Sequence, residues 1–286
     1  MSWGNRLKRV DSFSGGNMNY STIQVQTDGP VVTIRLNRPE RMNAVNEDMY
    51  KEIQNELGRT CNDPDVRCLI ITGSVLERDG ITKQAFCAGA DLKKHAAGER
   101  SQAQREDYIR LAHETTKKIY TFPKPVIAAV NGPARGAGTE MALNCDFLLM
   151  AEEATLGFPE TGLGTFVGGG VTHILPRLVG LARAKELVYT GRIVDGMTAI
   201  KLGLALDCYP VGLLLDEARS LASELAGKAP ISIRFAKDYL QRLPGLDIKT
   251  ALDLETKAIL TCMDSEDWQE GLRAFIEKRS PRFLGR

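Results

Sequence analysis

No C-x-x-C pair occurs in this chain, although cysteines stand at positions 61, 68, 87, 145, 208 and 262. That spacing gives no support to zinc or redox chemistry. Six cysteines in 286 residues are too few for a disulfide scaffold, so reduced, structural thiols are expected. Histidine is equally sparse. His95, His113 and His173 lack metal-ligand spacing and read as surface residues or as supports for a neighbour. Long apolar runs are missing too: Val126–Val130 is far too short to span a bilayer. A net charge of +1 and the lack of a long basic run give no reason to expect nucleic acid or an acidic membrane as partner. The nucleotide-binding signatures also fail. Gly136-Ala-Gly138 has the setting of a dinucleotide loop, but Met141 stands where the third glycine of G-x-G-x-x-G belongs. Gly162-Leu-Gly164 fails in the same way at Val167. There is no P-loop lysine and no G-x-S-x-G elbow.

What is present suits a soluble globular protein. The apolar fraction is 43% and the charged fraction 26%, both ordinary, and the length suggests one large domain or two small ones. Residues 1–18 are polar, with Arg6, Lys8 and Arg9 ahead of Ser-Gly-Gly. They read as a disordered extension. No apolar stretch follows the basic residues, so a secretory signal is not expected. The expected location is cytoplasmic, with the mitochondrial matrix as the alternative if residues 1–17 are a targeting segment.

From Tyr20 onward, alternating apolar residues on either side of Asp28-Gly29 predict a β-hairpin. Asn46 is placed to cap a helix carrying Met49, Ile53 and Leu57. Apolar runs at 68–71, 126–130 and 147–150 predict buried strands, and 74–84 reads as a polar loop. A helix is expected over 101–120, stopped by Pro123 and Pro125. Strands alternating with helices point to a largely parallel sheet. Beyond Gly170 the pattern turns helical, with segments near 171–179, 181–190, 195–203, 214–227, 231–241, 247–262 and 265–279. The organisation expected is an α/β core over 19–210 and a helical region over 211–286.

Two acids in separate glycine-rich segments carry the chemistry. One segment reads Asn131-Gly-Pro-Ala-Arg-Gly-Ala-Gly-Thr-Glu140, the other Leu156-Gly-Phe-Pro-Glu160-Thr-Gly-Leu-Gly-Thr. Ala85-Phe-Cys-Ala-Gly-Ala-Asp91 lies upstream. Paired carboxylates offer a proton donor and a proton acceptor, and glycine-rich turns bring backbone N–H groups close to a ligand. Together they suggest proton chemistry beside a carbonyl held by backbone amides. Glu140 alone would also fit a solvated helix position, and Glu160 a surface loop.

These segments, together with Cys145-Asp146, Leu36-Asn-Arg-Pro and Glu277-Lys-Arg, resemble the crotonase superfamily in order and spacing over about residues 22–283. Within it the chain looks like an enoyl-CoA hydratase. The resemblance implies an α/β spiral of ββα turns with a helical C-terminal trimerisation region, in trimers or paired trimers. It implies an acyl-CoA substrate and no separate cofactor, since coenzyme A is part of that substrate. It assigns an oxyanion hole to the backbone N–H groups of Ala90 and Ala137, and acid/base work to Glu140 and Glu160. Glu140 is expected to hold and deprotonate water and Glu160 to protonate C2, with the reverse or shared assignment open. Coenzyme A contacts are expected at Arg41, Ala44, Ala88, Asp91, Leu92, Lys93 and Lys278, the last from a neighbouring subunit.

Two segments depart from the family pattern: the charged stretch 74–84, and Phe166-Val-Gly-Gly-Gly-Val-Thr-His173 in place of a proline-containing loop. Either would line the acyl pocket or cover the surface, so acyl length and ring content stay open. Isomerisation, thioester hydrolysis and decarboxylation on the same scaffold are the alternatives to hydration, and RNA binding is a third class. Retention of both glutamates favours hydration.

Overall fold

The computed structural model of the protein describes residues 20–78, 81–91 and 100–286. The expected N-terminal extension, Leu92, Lys93 and His95 lie outside the described residues.

β1 (Ile23–Asp28) and β2 (Val31–Leu36) pair antiparallel across Gly29, whose φ of 53° the tight turn requires. β2 then pairs in parallel with β3 (Cys68–Gly73), and β3 with β6 (Val126–Val130). β6 pairs in parallel with β8 (Phe147–Ala151), and β8 with β11 (Asp207–Tyr209). The main sheet therefore runs β1-β2-β3-β6-β8-β11. Every residue of β3 and β6 is buried, which is why those runs read as continuously apolar rather than alternating.

The helices form where their caps indicate. Asn46 accepts a 3.0 Å hydrogen bond from the Met49 N–H and starts α1 (Glu47–Asn62). Ser101 and Gln104 form a reciprocal capping box at the start of α2 (Gln102–Tyr120). α3 (Ala137–Leu143) follows β7 (Ala134–Arg135). The helices expected at 171–179 and 181–190 both form within α4 (Val171–Thr190), separated at Gly180, whose φ of 76° and ψ of 157° are not helical. α5 (Gly196–Leu202), α6 (Val211–Ala226), α7 (Pro230–Arg242), α8 (Ile248–Met263) and α9 (Glu266–Glu277) complete the chain. α6 lies across β2, β3, β6 and β8 through Leu214, Ala218 and Ala222, so the cover of the sheet extends past residue 210. α7 is tied down by a largely buried ion pair, Lys237 Nζ to Asp146 at 2.7 Å, and the same carboxylate accepts from the Val126 N–H. Asp146 thus anchors α7 to the core.

The stretch 74–84 is not a loop. It folds as the hairpin β4 (Val75–Arg78) and β5 (Ile81–Gln84), paired with each other only. Its charged composition hides the strands. Its two ends are held together by Asn43, which donates to the carbonyls of Ser74 and Ala85 at 3.0 and 2.8 Å. β7, β9 (Thr155–Gly157) and β10 (Val194–Asp195) form a second small sheet, with strands too short to show periodicity in the sequence. Among the described residues no helix is long and apolar enough to cross a membrane.

Candidate active site

The segment 85–91 crosses between two elements and is fixed by both. Cys87 donates to the Pro133 carbonyl and accepts from the Arg135 N–H at 3.0 Å. Further along, Val45 donates to the Gly89 carbonyl and accepts from the Asp91 N–H. Successive peptide groups of an extended segment point to opposite sides. The N–H of Ala90 therefore points away from Val45, out of that bridge. Gly89 stands at φ 98°. A Cβ built there would meet the Arg135 carbonyl oxygen at 2.9 Å and lie 4.0 Å from the Ala137 nitrogen. This close approach makes neighbours of the two segments that carry Ala90 and Ala137.

Ala137 is the first residue of α3, where N–H groups have no partner within the helix and the helix dipole is positive. The helix is pressed onto the 85–91 segment through Gly138, whose absent Cβ would lie 2.3 Å from the Cys87 carbonyl oxygen. Only glycine permits that approach. Both Ala90 and Ala137 remain partly accessible.

Glu140 follows in the first turn of α3 and is only 8% exposed. Its Oε1 accepts a 2.7 Å hydrogen bond from the Gly168 N–H. Burial pushes its carboxyl up to about 7; the Gly168 N–H opposes this, and the charge of Glu160 adds to it. Glu160 begins a short 3₁₀ turn, Glu160–Leu163, after Pro159 and is also 8% exposed. Burial raises its carboxyl as well. Its Oε1 lies 2.5 Å from where a side chain on Gly136 would begin, directly before α3. Its Oε2 is buried with no hydrogen-bond partner among the described residues. The two carboxylates, 20 residues apart in sequence, therefore flank one helix start. Neither is the solvated residue that its local sequence also allowed.

Several supports were not legible beforehand. Thr139 Oγ1 donates to the carbonyls of Ala134 and Gly157 at 2.9 and 3.0 Å, locking the strand that leads to Glu160 onto α3. Asn144 Nδ2 donates to the carbonyls of Glu140 and Gly169 at 2.8 and 2.6 Å, holding the 168–170 glycines against Glu140. An asparagine just past a helix reads as a cap, so no sequence signal marked it. Phe166-Val-Gly-Gly-Gly-Val-Thr-His173 lies against the acids rather than merely covering the surface, since its Gly168 is the partner of Glu140.

The expected coenzyme A positions divide into two groups. Ala44, Ala88 and Asp91 lie together beside the Ala90 strand. Asp91 pairs with Arg38 at 2.9 Å, Arg38 also donates to the Ala44 carbonyl, and Ala88 donates to the Met42 carbonyl. Arg41 is exposed at the end of the short helical turn Pro39–Arg41. Lys278 is elsewhere. It is the exposed left-handed cap of α9, and no hydrogen bond or ion pair among the described residues joins its side chain to the rest of the site.

Comparison with known proteins shows the family. Residues 26–286 match the family model described as enoyl-CoA hydratase/isomerase. The chain is 35% identical over 269 residues to a crotonyl-CoA hydratase of Syntrophomonas wolfei, covering 94% of this chain and 100% of that one. It is 33% identical over 262 residues to a short-chain-enoyl-CoA hydratase of Clostridium acetobutylicum, covering 92% and 97%. The crystal structure of an enoyl-CoA hydratase from Bacillus anthracis superposes with a TM-score of 0.87 at 38% identity, over 93% of this chain and 100% of that one. The chain therefore belongs to the crotonase superfamily, as an enzyme of the enoyl-CoA hydratase/isomerase family and of the hydro-lyase class.

Proposed function

We propose that the protein adds water across the C2–C3 double bond of a 2-enoyl-CoA thioester. The observation that carries this reading is the convergence of Glu140 and Glu160, both buried and both raised, on the start of α3 beside the Ala90 and Ala137 amides.

The thioester oxygen accepts hydrogen bonds from the N–H groups of Ala90 and Ala137. Glu140 takes a proton from the water as its oxygen bonds to C3. The C2–C3 π electrons move toward the thioester, and the enolate oxygen gains charge against the two fixed donors. Glu160 then delivers a proton to C2. A donor of this kind is worth about 3 kcal/mol of barrier. One proton is shared by the pair, so the acid is restored when the proton taken from water re-equilibrates through the shared solvent position. Solvent deuterium incorporation separates the roles: Glu160→Gln should lose delivery at C2 more completely than Glu140→Gln.

Coenzyme A would lie along Arg41, Ala44, Ala88, Asp91, Leu92 and Lys93, with Lys278 contributed by a neighbouring subunit. A homo-oligomer, a trimer or a pair of trimers, is part of the same reading. The helical region beyond residue 210 leaves Ile248 73%, Ile259 59%, Phe275 85% and Ile276 78% exposed. Apolar surface of that extent on α8 and α9 favours subunit contact.

The test is a panel of enoyl-CoA thioesters read by mass spectrometry. Gain of one water supports hydration. A double-bond shift without mass gain would assign an isomerase instead, and release of free coenzyme A a hydrolase.

A further inference from the structure

The ring of His113 stands near Glu140, and the hydration mechanism gives it no task. It lies on the exposed side of α2, and its Nε2 faces the Glu140 carboxylate across the bare Cα of Gly168. A Cβ built on Gly168 would stand 3.1 Å from His113 Nε2 and 3.3 and 3.4 Å from the two carboxylate oxygens. Only the missing side chain of a glycine keeps that space open. Glu140 Oε1 is already engaged by the Gly168 N–H. No hydrogen bond or ion pair of the His113 ring is recorded among the described residues, and the hydrogen bond at His113 uses its backbone carbonyl, which accepts from Thr116. Two exposed apolar side chains lie close by in sequence, alongside the exposed Arg110 and Lys117 of the same helix. Ile109, one turn earlier on the same helix face, is 51% exposed, and Phe166, two residues before Gly168, is 70% exposed.

The order of groups along the site gives this imidazole a place. The segments carrying Ala90 and Ala137 approach each other at Gly89, Glu140 follows Ala137 by three residues on α3, and His113 meets the Glu140 carboxylate at Gly168. With the thioester oxygen on the amides and C3 beside Glu140, the acyl carbons beyond C3 leave the pair toward Gly168. We propose that His113 is a specificity-determining residue that hydrogen-bonds an oxygen borne by the acyl group beyond C3, and that the preferred substrates are oxygenated 2-enoyl-CoA thioesters. An imidazole ring suits this because one nitrogen donates and the other accepts. A site built to bond an oxygen discriminates strongly against the analogue that lacks it. The inference rests on the hydratase reading and names the substrate class of the same site.

The experiment compares crotonyl-CoA, 2-hexenoyl-CoA, its 6-hydroxy analogue and its 6-carboxylate analogue on the wild type, His113→Leu and His113→Gln. The expected result is a fall of about tenfold or more in the ratio of kcat/KM on an oxygenated substrate to kcat/KM on 2-hexenoyl-CoA in His113→Leu, carried by KM. His113→Gln should recover part of that ratio on the hydroxy substrate. The two analogues distinguish a hydroxyl from a carboxylate as the oxygen recognised. An equal fall on all four substrates would overturn the proposal in favour of a residue that acts on Glu140, and an unchanged ratio would overturn it outright. Calorimetric binding of the saturated 6-hydroxy and unsubstituted hexanoyl-CoA thioesters keeps the test independent of hydration. If no enoyl-CoA gains water, the hydratase reading fails, while loss of the binding preference in His113→Leu still decides the role of His113.

Discussion

Replacing Glu140 with glutamine should make the protein slower and, at alkaline pH, more stable. The carboxyl is held at about 7 against an ordinary 4.5, chiefly by burial. Its folded-state pKa is therefore raised, and the sign follows. Below about pH 4.5 both folded and unfolded chains carry the proton and nothing is lost. Between about 4.5 and about 7 the unfolded chain has ionised while the folded one has not, so stability falls as pH rises. Above about 7 the loss is complete. At about 1.4 kcal/mol per pH unit the full loss is about 3 kcal/mol. Between about pH 5.5 and about pH 8.5 the part still to be lost is about 2 kcal/mol. Glutamine carries no such charge, and its side-chain oxygen can still accept from the Gly168 N–H. Wild type and Glu140→Gln should therefore diverge by about 2 kcal/mol in urea unfolding between those two pH values, at one protein concentration, with the variant gaining at the higher pH. Over the same comparison, hydration followed by loss of the conjugated-thioester absorbance should fall at least about 10²-fold. Parallel stability curves for the two proteins would refute the burial argument. Turnover within tenfold of wild type would refute the role of the carboxylate.

Ala137→Pro removes a donor N–H and should abolish turnover, while Ala137→Gly should be tolerated; kcat for both, with circular dichroism to check folding, is the measurement. Lys237→Met leaves the largely buried Asp146 without its cation and should cost about 2–3 kcal/mol in urea unfolding, less than for a fully buried pair because Asp146 is 16% exposed and keeps the Val126 N–H. Pairing it with Asp146→Asn should recover much of that loss. Light scattering on the full chain should give a trimer or a multiple of it; a fully active monomer at micromolar concentration would remove the oligomer and with it any role for Lys278 across an interface.

The local grammar of the chain decided its elements. Asn46 and Ser101 announce helix starts because their side chains satisfy N–H groups that the helix cannot. Asp28-Gly29 announces a hairpin because the turn needs a positive φ. The unbroken apolar runs 68–71 and 126–130 announce strands covered on both faces. The same grammar missed the hairpin of Val75–Arg78 and Ile81–Gln84. There the pairing depends on Asn43, some thirty residues away in sequence, clamping both ends, and no window of local sequence contains that contact. The order of the glycine-rich segments pointed to the family and to Glu140 and Glu160. That these acids are buried, and therefore raised, was decided only by the tertiary structure. Desolvation depends on what surrounds a side chain; Met141-Ala142-Leu143 beside Glu140 suggests a buried helix start, but the glycines 168–170 that close over that carboxylate are distant in sequence. The placement of His113 beside Glu140 is of the same kind. It arises because Asn144 holds the 168–170 glycines against α3 while α2 passes the other side, an encounter between three segments that are distant in sequence and meet only when the chain is folded.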